Sequence, residues 1–250
     1  MEVLGIDIGG SGIKGALVDV GTGRMVTERF RISTPDGAKP EDVAKTVKEL
    51  IDHFAWQGPV GVGFPAVVRQ GVAESAANIS KEWIGTNVNE LLSKACGCPV
   101  FTLNDADAAG IAEMTFGAGK DSKKGVVMIL TLGTGIGSAI FVDGVLLPNT
   151  ELGHLQMKGK DAETRTSDAA RKNLDLSWKH WVKRLQKYFD YLERLFSPDL
   201  FIIGGGVSKD SEKFLPLLKT RARLVPATML NQAGIIGSAM YASTQTKRKK

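Results

Sequence analysis

Residues 131–154 read TLGTGIGSAIFVDGVLLPNTELGH. An apolar run, Val126 to Leu130, precedes them, and a second one, Ser138 to Val142, follows the glycines. The pattern predicts strand, glycine turn, strand. Gly133, Gly135 and Gly137 leave the backbone unshielded, so its N–H groups can approach an anion closely. Glu151 and His154 follow in Glu-Leu-Gly-His, polar groups able to grip a small hydroxylated molecule. Taken alone, the stretch reads equally well as a tight β-hairpin with a polar loop.

A second copy decides between these readings. Residues 7–19 read DIGGSGIKGALVD, and at an offset of 124 Gly9 falls on Gly133, Val18 on Val142 and Asp19 on Asp143. Each copy is a glycine turn feeding an apolar strand that ends in Val-Asp. The offset is half the chain, which indicates duplicated domains, because a solenoid repeats every 20–50 residues or so. Two such turns can hold a phosphate chain at a domain boundary.

The remaining pattern is α/β. Glu2 to Ile8, Lys14 to Val20 and Met25 to Ile32 read as three antiparallel strands. Val43, Val47, Leu50, Ile51 and Phe54 make the apolar stripe of a helix over 40–54. Strands are expected at 60–64 and 99–103, with helices at 88–95, where Asn87 is a candidate cap, and at 106–116. The second half repeats the plan with strands at 125–132, 136–142, 145–147 and 200–203. Trp178, Trp181, Leu185, Phe189 and Leu192 mark a helix of about 20 residues, capped by Asp175 or Ser177. Helices near 211–218 and 234–241 close the chain. Residues 158–173 show no period. The expectation is a mixed sheet flanked by helices in each half: domain one over 1–105, joined by a C-terminal helix at 235–250, and domain two over 106–234.

Composition is that of a globular protein, with 43% hydrophobic and 24% charged residues. No apolar run reaches the ~18 residues of a membrane span, so no membrane partner is expected. The two cysteines, Cys96 and Cys98, flank one glycine. They predict a turn in a reducing, cytoplasmic setting rather than a disulfide or a zinc site. The net charge is +5. Part of it is the tail Lys247-Arg248-Lys249-Lys250, which reads as solvated.

Several residues carry chemistry. Asp7 ends the first strand beside Gly9, Gly10, Ser11 and Gly12. An acidic group next to a phosphate turn suits a bridging Mg²⁺, held through water, or it simply closes the turn. Lys14 faces phosphate or solvent. Asn104-Asp105 ends a strand and opens a helix, so Asp105 is either a proton acceptor for an attacking hydroxyl or a helix cap. Thr131, Gly133, Thr134 and Gly135 form the second phosphate turn. Gly204, Gly205 and Gly206, at another strand end, can admit a flat or anionic donor group, or form only a tight turn.

In this order, DIGGSGIKG, NDADAAG, LGTGIG, ELGH and IIGGGVS resemble the ROK family of sugar kinases. The resemblance implies two ribonuclease-H-like domains of the actin-like ATPase superfamily, with the active site in the cleft between them. More narrowly, PNTELGH, LSWKHW and LFSPDLFIIGGGVSK are similar to the glucokinases that use inorganic polyphosphate. By that likeness Asp105 is the catalytic base, Asn78, Asn104, Glu151 and His154 hold the sugar, and the two glycine turns hold the phosphates. It also implies glucose as acceptor at its 6-hydroxyl, polyphosphate or ATP as donor, and a homodimer. Many family members carry a cysteine-rich zinc motif after the histidine. Residues 155–167 contain no cysteine, so no zinc is expected. The rivals are a strictly ATP-dependent sugar kinase and a sugar-sensing regulator. Only six residues precede Asp7, too few for the DNA-binding module such regulators carry, so no specific nucleic acid is expected.

The charge is uneven. Between Lys158 and Lys187, nine Lys or Arg residues face four Asp or Glu, an excess of five. Lys179, Lys183 and Lys187 recur every four residues. With Lys158 and Arg165, Lys179 and Lys183 are expected to line a polyphosphate groove. The alternative is an ordinary solvated face.

Overall fold

A computed structural model describes residues 1–77 and 79–248 of the chain. In chain order the strands are β1 (Glu2–Gly9), β2 (Gly12–Asp19), β3 (Arg24–Met25), β4 (Phe30–Ile32), β5 (Val60–Phe64), β6 (Val68–Arg69), β7 (Val72–Ala73), β8 (Val100–Asn104), β9 (Val126–Leu132), β10 (Ile136–Val142), β11 (Val145–Leu147), β12 (Gln156–Met157), β13 (Lys160–Asp161), β14 (Leu200–Gly204) and β15 (Arg223–Pro226). The helices are α1 (Pro40–His53), α2 (Val88–Cys96), α3 (Asp105–Thr115), α4 (Glu163–Thr166), α5 (Asp168–Asn173), α6 (Trp178–Phe196) and a C-terminal helix (Ala233–Arg248).

The chain forms two compact units. One is Met1–Ala112 with the C-terminal segment from Gln232, the other Glu113–Asn231. The division falls inside α3, not at 105/106, because the first turns of α3 pack on the C-terminal helix. A Cβ on Gly237 would sit 1.7 Å from the Ala108 carbonyl oxygen.

The duplication seen in the glycine turns extends to topology. The first sheet has the order β3-β2-β1-β5-β8, the second β11-β10-β9-β14-β15. In each, a hairpin of antiparallel strands adds parallel strands on one side: β1 pairs β5 as β9 pairs β14. These are the two mixed, ribonuclease-H-like sheets that the resemblance implied.

Each unit has its own core. In the first, the α1 stripe of Val43, Val47, Leu50 and Ile51 is buried with Ile6, Ile8, Val62 and Phe64. Trp83 is wholly buried there and donates its Nε1–H to the Ala38 carbonyl at 2.8 Å, so its polar edge is satisfied. The C-terminal helix lies backbone-to-backbone on this sheet. A Cβ on Gly5 would meet the Ile235 oxygen at 2.0 Å, and one on Gly61 the Ser238 oxygen at 1.8 Å, so only glycine fits. In the second core, Trp181, Leu185, Phe189 and Leu192 of α6 pack with Phe201 and Ile203 of β14.

Some local expectations change. The strand expected over 25–32 is broken into β3 and β4, because Thr27 Oγ1 takes the Leu17 N–H at 3.0 Å and replaces a ladder bond. The cap of α6 is Ser177, which accepts from His180 N; Asp175 lies outside, at φ 46°. Residues 206–217 form 3₁₀ turns rather than an α-helix. The aperiodic 158–173 stretch resolves into the turn and second strand of the β12–β13 hairpin and the short α4 and α5, too brief to show a period.

Candidate active site

In the first unit, Gly9 and Gly12 pair across the β1–β2 hairpin, leaving Gly10 and Ser11 exposed at its tip. Two side chains brace the tip. Thr34 Oγ1 donates to Gly9 O, and the Arg31 guanidinium donates to Ser11 O, both at 2.5 Å. Arg31 crowds Gly12, where a Cβ would lie 2.5 Å from Nε. This arginine, whose β-alternation gives no functional signal, puts a positive charge at the turn. Asp7 and Lys14 face each other in register, Oδ2 to Nζ at 3.4 Å, both half-buried. The first turn of the C-terminal helix approaches Asp7 closely: a Cβ on Gly234 would be 3.1 Å from its carboxyl carbon.

Asn104 and Asp105 sit where β8 becomes α3. The buried Asn104 is the cap, its Oδ1 accepting from Ala106 N at 2.9 Å and Asp107 N at 3.1 Å while Nδ2 donates to Ala66 O at 3.1 Å. That leaves one amide hydrogen for a ligand. Asp105 accepts from the adjacent Ala106 N at 2.8 Å and is half-buried. Asn78 lies outside the described residues.

In the second unit, the turn Gly133-Thr134-Gly135 joins β9 to β10. Gly133 N donates to Gly135 O at 3.0 Å, and Gly133 O accepts from Ala169 N at the start of α5, at 3.0 Å. Glu163 of α4 accepts from Ile136 N at 3.0 Å, and a Cβ on Gly135 would fall 2.4 Å from that carboxylate oxygen. Gly133 has open space where a Cβ would be, so it presents bare backbone. Thr131 pairs with Gly204 across β9 and β14. Gly205, at φ +81°, packs on Leu132, with a Cβ position 2.4 Å from its oxygen. Its missing side chain therefore admits the neighbouring strand rather than a ligand, whereas Gly206 faces open space.

Glu151 caps and His154 ends a single 3₁₀ turn, Leu152–His154, held over β10. Buried Ser138 pins it: its hydroxyl donates to Thr150 O at 2.7 Å and accepts from Leu152 N at 3.0 Å. The two candidate sugar ligands are brought together, His154 Nε2 lying 4.0 Å from Glu151 Oε2. The other ring nitrogen, Nδ1, is 2.8 Å from Asp161 Oδ2. Since a carboxylate only accepts, Nδ1 carries a proton; Nε2 is an acceptor when the ring is neutral and a second donor when it is charged. The Asp161 hydrogen bond raises the imidazole pKa above its ordinary value, burial opposing it. The same bond holds the Asp161 carboxyl below the carboxylate range. Burial pushes Glu151 up, offset by His154. Asp161 was counted in the sequence only as a charge; its seven-residue separation from His154 becomes contact only when the β12–β13 hairpin folds.

Among the described residues no group of three or more His, Cys, Asp or Glu could hold a metal ion. Cys96 and Cys98 are free, their thiols donating to the Leu92 and Trp56 carbonyls. No helix among these residues is long and apolar enough to cross a membrane.

Known proteins share this architecture. Residues 3–173 match the model of the ROK family. A polyphosphate glucokinase of Mycobacterium tuberculosis (strain CDC 1551 / Oshkosh) is 47% identical over 97% of this chain and 91% of its own. The crystal structure of the inorganic polyphosphate/ATP-glucomannokinase of Arthrobacter sp. strain KM superposes with a TM-score of 0.93 at 48% identity, covering 98% of this chain and 99% of that one. A ROK glucokinase of Streptomyces griseus shares the fold at 23% identity and a TM-score of 0.82, covering 98% of this chain and all of its own. With a family match over most of its length and relatives near half identical end to end, the chain belongs to the ROK family.

Proposed function

We propose that the protein is a glucokinase that transfers the terminal phosphoryl group of inorganic polyphosphate, and of ATP, to the 6-hydroxyl of glucose. The names of the Mycobacterium and Arthrobacter relatives support this substrate pair. The observation that carries the mechanism is the division of labour at the start of α3. Asn104 Oδ1 takes the N–H groups of both Ala106 and Asp107, so the cap of α3 does not depend on the Asp105 carboxylate, which shares the Ala106 N–H. Asp105 accepts the proton as the sugar oxygen forms its bond to phosphorus and the bridging P–O bond breaks. The leaving phosphate chain takes the electron pair.

The other side chains position and balance charge. Glu151 accepts hydrogen bonds from sugar hydroxyls, His154 bonds them through Nε2, and Asn104 and Asn78 join them. Backbone at Gly9–Gly12 and Gly133–Gly135, with Arg31 and Lys14, offsets the phosphate charge. Gly206 is left to admit the donor. A divalent cation fits a single half-buried carboxylate beside a phosphate turn better than it fits a protein cage. Mg²⁺ prefers one or two carboxylates plus phosphate oxygens and water, so Asp7 is the residue that would hold it. When bound, it neutralises donor oxygens. A cytoplasmic homodimer completes the reading.

The test is glucose with Mg²⁺ and either ATP or polyphosphate, in wild type and Asp105→Asn. Glucose 6-phosphate is expected from both donors, with kcat in the variant lower by about 10²–10⁴-fold. Wild-type kcat in Asp105→Asn sinks the general base. Product from ATP alone returns the protein to a strictly ATP-dependent kinase.

A further inference from the structure

Within the second unit lies a cavity of about 310 Å³ whose rim carries Lys158, Arg165, His180, Lys183, Arg184 and Lys187. Four of these, at 180, 183, 184 and 187, stand on one face of α6, spaced i, i+3, i+4 and i+7. Lys179, expected to join them, does not line the cavity; one residue along a helix turns the side chain by 100°. Lys158 comes from the tip of the β12–β13 hairpin and Arg165 from α4.

These cations are unbalanced. Elsewhere in the unit, Arg171 and Lys172 share Asp168, Lys213 pairs with Asp210 and Arg221 with Glu193. Among the described residues, none of the five Lys and Arg side chains around the cavity makes an ion pair, although Arg165 and Arg184 are half-buried. Gathering five like charges around one hollow raises the free energy of the empty protein and favours an anion that fills it. The other lining side chains are Met157, Thr166 and Leu176. Apart from His180, no ring and no carboxamide lines it to stack on or read a nucleobase, and the lining is mainly cationic.

The cavity is mechanically tied to the phosphate turn. Two residues before Arg165, Glu163 binds Ile136 N at the end of that turn, and α5 binds Gly133 O. One residue after Arg165, Thr166 O accepts from Trp181 Nε1 at 3.0 Å, locking α4 to α6. The segment that grips the turn thus forms one wall, and α6 the other.

We infer that this cavity is a binding subsite for the distal phosphates of linear inorganic polyphosphate, engaged beyond the phosphoryl group being transferred. The inference rests on polyphosphate being a donor, as proposed above, and adds that donor affinity depends on chain length. ATP and tripolyphosphate end before reaching the subsite; long chains fill it.

The variants are Lys183→Gln/Lys187→Gln and, separately, Arg165→Gln, with unchanged thermal midpoints as the folding control. KM for long-chain polyphosphate is expected to rise about tenfold and its salt dependence to flatten, as counterion release predicts for lost phosphate contacts. KM for ATP and for tripolyphosphate should stay within about twofold of wild type, since neither reaches these side chains. Equal losses with all donors, or none with any, overturn the subsite. Direct titration of labelled long-chain polyphosphate without glucose separates this from the activity. Chain-length-dependent binding that weakens in the variants upholds the subsite even if polyphosphate drives no turnover; binding that is absent or unchanged overturns it.

Discussion

Glu113, 1% exposed, is the first residue of the second unit, and its carboxylate is a hub. Oε2 accepts from Ala118 N at 2.9 Å, Thr228 N at 3.2 Å and Thr228 Oγ1 at 3.4 Å; Oε1 accepts from Met229 N at 2.7 Å. It thereby joins the end of α3 to the loop that returns the chain to the first unit. Glu113→Ala orphans three backbone N–H groups. At about 1–3 kcal/mol each, the range is roughly 3–9 kcal/mol. Thr228 is exposed and Ala118 half-buried, so water can replace part of the loss, which favours about 3–5 kcal/mol. Glu113→Gln keeps one oxygen for the three donors at Oε2 and sets an NH₂ against Met229 N, losing about 1–3 kcal/mol. For a chain of this size those values lower Tm by about 6–20 °C and about 2–12 °C. Gly117→Ala tests the same cradle from outside, because its Cβ would fall 2.1 Å from Oε2. Urea and thermal unfolding of the three variants is the assay. If alanine and glutamine cost the same, or both cost under about 1 kcal/mol, the donors have other partners and the cradle does not hold the loop.

Three further outcomes follow from the geometry. Glu151→Ala or His154→Ala should raise KM for glucose by about 5–150-fold, the equivalent of 1–3 kcal/mol for unpaired groups, with little change in KM for the donor; the reverse pattern moves both residues out of sugar binding. In Asp161→Asn the His154 pKa, followed by NMR, should fall toward its ordinary 6.5. For stability, the raised imidazole contributes fully below 6.5 and loses its share as pH rises through its folded pKa, while the depressed Asp161 loses its share as pH falls below 3.8, so the Tm gap between wild type and variant should be widest between these values; a pH-independent gap contradicts the pairing. Gly61→Ala should cost more stability than Gly133→Ala, since the first drives a Cβ into the Ser238 backbone and the second meets open space; urea unfolding ranks them.

Much of this fold was legible because its signals are local. The glycine turns, the 124-residue offset and the α6 stripe each need only a short window, and β10 and β11 fall at their expected residues. What was not legible depends on partners distant in the chain. The 25–32 break comes from one threonine hydroxyl competing for a ladder donor, and β15 takes its place beside β14 despite only four residues. Around the site the same division holds. Asp105 and the Glu151–His154 pair stand out as motifs, whereas Arg31 and Asp161 look like ordinary surface charges until tertiary folding brings them to Ser11 O and His154 Nδ1.

The segment after His154 is held by a series of polar side-chain contacts. Asp161 receives His154 Nδ1 on one oxygen and Gln156 Nε2 on the other, so one carboxylate closes the β12–β13 hairpin. Its own carbonyl accepts from Thr164 Oγ1 at 2.7 Å, Ala162 N donates to Leu155 O at 2.8 Å, and Thr166 Oγ1 donates to Ala162 O at 2.7 Å. Trp181, fully buried, then ties Thr166 to the core. Each bond is modest, about 1 kcal/mol net, yet in series they connect the Glu151–His154 turn to the wall of the basic cavity through one short run of chain. Hydrogen bonds from Thr, Gln and Asp hold the loop, and among the described residues its Lys158 and Arg165 make no ion pair and line the cavity beside α6.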